Sequence, residues 1–124
     1  PMPTDLQALV RAPAWRWMPG MLTADGERII SSNRNPNVFD TMSVDVDGKR
    51  GRLRSGWPDI TDPATLGCML ALAREAWADP TLHVVCARGR WWAVSTKFEG
   101  GPGRETEGEA LAAAILVASV LTHG

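Results

Sequence analysis

The sequence predicts an α+β fold: a mainly antiparallel sheet of hairpins packed against two long helices, at about residues 62–78 and 106–121. Two segments repeat their apolar residues at helical spacing, and runs rich in valine and tryptophan flank short glycine-containing turns. The elements also follow one another as strands, helix, hairpin and helix, which is the α+β order rather than a series of βαβ units. With 124 residues, 44% hydrophobic and 22% charged, the chain can bury one core and reads as a single domain over residues 1–124.

The first long helix is written in "TDPATLGCMLALAREAW". Asp62 can accept hydrogen bonds from the open amides of the first turn, and Pro63 has no amide to leave unpaired there. Leu66, Met69, Leu70, Ala73 and Trp77 follow on one face, with Cys68 and Leu72 as a second apolar stripe. Thr65, Arg74 and Glu75 are its clearly polar positions. Asp79-Pro80 ends it, since proline disfavours helical geometry in the residue before it. Trp77 is expected to be buried against the sheet.

The second long helix opens with "TEGE", a capping box in which Thr106 caps and Glu109 reaches back. Leu111, Ala114, Ile115 and Ala118 mark its main face, while Leu116, Val117 and Val120 make the other side apolar too. A short helix over residues 4–11, ended by Pro13, precedes the strands. Hairpins are predicted over residues 81–98 around Arg88-Gly89 and over 21–31 around Asp25-Gly26, with a further turn at Asp47-Gly48. Residues 32–40 and the "EGGPGRE" stretch at 99–105 read as loops, the latter as a flexible connector. The six tryptophans are expected to supply much of the buried area.

Composition removes several functions. A net charge of −1 argues against a protein that coats duplex DNA, because phosphate neutralisation supplies most of that affinity. No apolar run approaches the ~20 residues of a membrane span, and no basic start leads into an apolar block. The expectation is a cytoplasmic protein that does not engage a membrane. Cys68 and Cys86 read as buried apolar residues rather than a disulfide.

Catalytic and metal chemistry find no pattern. His83 and His123 are the only histidines, and no Cys-x-x-Cys or paired-histidine spacing exists, so no metal or cofactor is expected. His83 and Cys86 are three apart and would face opposite sides of a strand. No serine stands in a Gly-x-Ser-x-Gly setting. These gaps predict a protein that is not an enzyme.

One constellation remains, "DGKRGRLRSGW" at residues 47–57. On a strand Arg50, Arg52 and Arg54 would project from one face, flanked by Lys49 and followed by Trp57, while Arg88 and Arg90 mark another hairpin tip. Arginines beside a tryptophan can grip phosphates and stack on a base, which makes these seven residues a candidate anion-binding set. The plainer alternative is a solvated strand face paired with Asp45 and Asp47 on the neighbouring strand.

The blocks "WMPGMLTADGERI" (17–29), "PDITDPATLGCMLALAREAW" (58–77) and "ETEGEALAAAILVAS" (105–119) resemble a group of small, functionally uncharacterised proteins of bacteriophages and prophages. The resemblance covers about half the chain and implies an accessory protein working in the bacterial cytoplasm; it brings no catalytic residues. The expected activity is binding of a host or phage macromolecule, a protein in the first instance, as in inhibitors of host defence systems or nucleases. The alternative is a nucleic-acid-binding module using the Arg50/Arg52/Arg54 face. A homodimer through the alanine-rich C-terminal helix is also expected, because that helix is apolar on nearly every side.

Overall fold

Among the residues that the computed structural model describes, 4–31, 41–53, 56–97 and 101–123, three helices and five strands form. Their order is α1 (Thr4–Arg11), β1 (Arg28–Ser31), β2 (Met42–Val44), β3 (Arg50–Arg52), α2 (Pro63–Ala76), β4 (His83–Ala87), β5 (Arg90–Val94) and α3 (Glu107–His123). The class is α+β, as the sequence predicts, and all strand pairing is antiparallel. The strands lie in two sheets, β1-β2-β3 and β4-β5, rather than one. Each strand pairs with a sequence neighbour, and α2 separates the two sets.

The chain folds into two compact units, Arg16–Cys68 and Pro1–Trp15 with Met69–Gly124. In the Arg16–Cys68 unit, the turn at Asp25-Gly26 is closed by the Thr23 amide donating to the Glu27 carbonyl at 2.8 Å. Gly26 takes a φ of 89°, a left-handed value that glycine adopts without strain. The next turn is held by Asp45, whose carboxylate accepts the amides of Asp47 and Lys49, both at 2.9 Å. Strand β2 therefore ends at Val44, and Asp45 and Asp47 do not share a strand face. Here the aspartate's pull toward its own backbone wins over strand alternation.

Asp62 caps α2 as predicted, with the Thr65 amide donating to its carboxylate at 3.0 Å. Thr65, one of the polar positions of the helix, is fully buried: its hydroxyl donates to Asp62 at 3.0 Å and accepts the Leu22 amide at 2.8 Å. Arg28 donates to the same carboxylate at 2.9 Å. The buried face of α2 accordingly runs through Thr65, Met69, Leu72 and Ala73, about one position round from the predicted one. Asp62→Ala is expected to lower unfolding free energy by about 2 kcal/mol, because it strips a cap and leaves the Thr65 amide unpaired. Arg28→Ala should cost clearly less in urea titration, since that side chain is 40% exposed and its ion pair is screened.

In the other unit α2 ends in a Schellman motif. The Asp79 amide donates to the Arg74 carbonyl at 2.9 Å and the Ala78 amide to the Glu75 carbonyl at 3.1 Å. Ala78 occupies the left-handed position with φ 51°, so the helix stops before Pro80 has any part in it. Helix α3 packs against α1 and against the β4-β5 hairpin. Leu111, Ala114, Ile115 and Ala118 are buried as predicted, and Ala110 and Ala112 join them. Thr106 accepts the Glu109 amide at 3.1 Å, while the Glu109 carboxylate reaches back to the Glu105 amide, one residue beyond the expected partner. The β4-β5 turn places Arg88 and Gly89 at φ 54° and 74°, the two successive left-handed residues that match the twist of a tight hairpin.

Three burial expectations need correction. Trp15 is buried, but Trp17, Trp57, Trp77, Trp91 and Trp92 are only half-buried. Trp77 docks on α3, donating its indole N–H to the Ala114 carbonyl at 2.9 Å. A ring with one polar edge settles where that edge finds an acceptor. Cys86 is exposed, because β4 belongs to a two-stranded sheet and every residue of it except Val84 faces solvent. Cys68 is half-buried with its thiol 3.7 Å from the Pro19 carbonyl, and burial pushes the thiol pKa up. Both thiols are free.

Candidate functional site

The arginine set predicted from sequence divides between the two units. Arg50 and Arg52 lie on β3, an outer strand of its sheet, and both are exposed, with Lys49 exposed in the preceding turn. Register sets Arg50 opposite Val44 and Arg52 opposite Met42, so no carboxylate faces either one. The cross-strand pairing with Asp45 and Asp47 does not form. Trp57 is half-buried and ties its carbonyl to the Ala24 amide at 2.7 Å. Arg54 lies outside the described residues. Arg88 and Arg90 sit exposed at the β4-β5 turn, in the other unit.

A cavity of about 280 Å³ opens between β5, residues 101–104 and α3. Strand alternation puts Trp91 and Ala93 on one face of β5, and Ala110, Ala113, Ala114 and Val117 recur on α3 at the spacing of one helical face. The third wall is held in place from both sides. Trp91 and Arg104 exchange two backbone hydrogen bonds, each of 2.9 Å, which sets Arg104 as an isolated bridge beside β5. A Cβ at Gly103 would fall 2.7 Å from the Arg90 Cβ and 2.8 Å from the Trp92 ring, so only glycine lets this segment lie so close.

Arg104 lines the cavity, and no ion pair involves it among the described residues. The sequence set omitted Arg104 because "GGPGRE" reads as a connector. The available signal was the pair of glycines around Pro102, which marks close backbone approach as well as it marks flexibility. Ligand pockets commonly span about 300–1,000 Å³. This cavity is at the lower limit, with room for one ring or branched side chain rather than a dinucleotide.

Asp79 carries the most perturbed carboxyl group. It is 4% exposed and accepts five hydrogen bonds: the Ser95 hydroxyl at 2.6 Å, the Thr81 hydroxyl and amide at 2.6 and 2.9 Å, and the Thr96 amide and hydroxyl at 3.0 and 3.2 Å. The Ser95 and Thr81 hydroxyls foremost, then the amides of Thr81 and Thr96, hold its carboxyl far below the usual carboxylate range against the opposing effect of burial. A carboxylate so thoroughly hydrogen-bonded cannot exchange a proton near neutral pH. Its role is to fasten the end of α2 to the segment after β5.

Among the described residues no group of three or more histidine, cysteine or acidic side chains is placed to hold a metal ion. No described helix is long and apolar enough to cross a membrane. No protein-family model, curated protein or solved structure matches the chain.

Proposed function

We propose that this protein works by binding a macromolecular partner, without catalysis of its own, in the bacterial cytoplasm. The observation that carries this reading is the Trp91–Arg104 cavity, which opens beside α3 where Val117 and Val120 are 47% and 66% exposed. An apolar pocket continued by exposed valines is a feature of recognition surfaces. The resemblance to phage-encoded proteins supports a host or phage protein as the partner, and an inhibitor of a host defence system or nuclease as the role. Affinity capture from infected bacteria should retain a stoichiometric partner on the parent protein and lose it on Val117→Asp. Recovery of no stoichiometric protein overturns the reading.

A second reading is favoured by one observation, the exposed Arg50 and Arg52 without facing carboxylates on β3. Here the partner is nucleic acid. Replacing both arginines with glutamate should then abolish retention on immobilised single-stranded DNA, with parent binding falling steeply between low and physiological salt. A parent that is not retained at low salt removes this reading.

A further inference from the structure

We propose that the cavity between β5, residues 101–104 and α3 receives one apolar side chain of an acidic protein segment, a carboxylate of which meets Arg104. The inference rests on the binding reading above and names the chemistry of the partner.

Size selects the anchor. At about 280 Å³ the cavity suits a single phenylalanine- or leucine-sized side chain. Its lining is Ala93, Ala110, Ala113, Ala114 and Val117 beside two indoles, surfaces that gain from apolar contact and offer few hydrogen bonds to a base or sugar. The cavity is also preformed. The paired bonds between Trp91 and Arg104 and the close seat of Gly103 fix its wall, so little ordering entropy opposes entry of a side chain.

Charge selects the rest of the segment. Arg104 lines the cavity, and no ion pair involves it among the described residues. A cation in the lining of an apolar pocket complements an apolar anchor flanked by acids. A nucleic acid would need a longer cationic track, because its affinity grows with the number of phosphates neutralised. Val120 lies one turn beyond Val117 on α3 and extends the apolar surface away from Arg104, giving a segment a second contact.

The test uses the full chain with nitrogen-15-labelled tryptophan, titrated with a short synthetic peptide of aspartate and glutamate carrying one central phenylalanine. The indole signals of Trp91 and Trp92 should shift saturably at millimolar peptide or below. Changing the phenylalanine to alanine, or the acids to lysine, should weaken binding at least about tenfold, as should Val117→Asp or Arg104→Gln in the protein. Val117 is half-exposed, so Val117→Asp should fold, and an unmoved Trp77 indole signal reports that it has. The proposal is overturned by the absence of a saturable shift, by equal shifts with the alanine peptide, or by shifts with polythymidylate alone. A solution mass of two chains that Val117→Asp returns to one chain assigns the face to a second copy and likewise overturns it. Lysate capture that survives Val117→Asp, together with a failed titration, sinks this inference while leaving a binding function elsewhere on the molecule.

Discussion

Asp79→Ala is expected to lower the melting temperature by roughly 10 °C. The substitution removes the acceptor for five hydrogen bonds at once, those of the Thr81 and Thr96 amides among them. Differential scanning calorimetry at pH 7 reads the loss directly. The pH dependence gives an independent check with a defined sign. In the unfolded chain an aspartate titrates near ~3.9, and in the folded chain Asp79 titrates far lower. Its contribution is therefore fully present above about pH 4 and declines as the pH falls below that toward the folded value. Asp62 acts in the same direction. Its burial alone would raise the pKa, but the Arg28 hydrogen bond and the Thr65 amide and hydroxyl outweigh it. Asp79→Asn should make the acid limb of the stability curve shallower without flattening it, and an unchanged limb would show that Asp79 is not a main source of it.

Trp77→Ala should cost about 3 kcal/mol in urea unfolding. The ring is half-buried, which puts the loss at the lower end of the range for a large aromatic, and the deletion also removes the indole donor to the Ala114 carbonyl of α3. Trp77→Phe separates the two contributions. It keeps most of the packing and removes only the indole donor, so about 1 kcal/mol should be lost. If phenylalanine and alanine cost the same, the hydrogen bond rather than the ring joins α2 to α3.

Local chemistry made much of this fold legible. Asp62-Pro63, Thr106 with Glu109 and Arg88-Gly89 act within a few residues of themselves, and the structure uses each as a cap or turn. The alternation of Arg50 and Arg52 was equally readable, because strand geometry alone sets it. What stayed hidden depends on partners distant in sequence. Thr65 reads only as a polar position of the helix until the Leu22 amide, 43 positions away, is found on its hydroxyl. Cys86 looks like a core residue until β4 is seen to pair on one side only within a two-stranded sheet. Arg104 reads as part of a connector until the hydrogen bonds to Trp91 make it a wall of the cavity. Asp45 shows a local signal that was misread, since a strand face and an aspartate-held turn compete for the same residue.

The central claim, that the α3 and β5 face is where a partner is held, is tested most directly by site-specific photocrosslinking in the bacterial cell. A photoreactive phenylalanine analogue at position 117 places the probe at the cavity, and one at position 46 places it on the β2-β3 turn, where Val46 is 79% exposed. The account predicts a discrete covalent adduct from position 117 and none from position 46. An adduct from position 46 alone, beside Lys49 and Arg50, would contradict it.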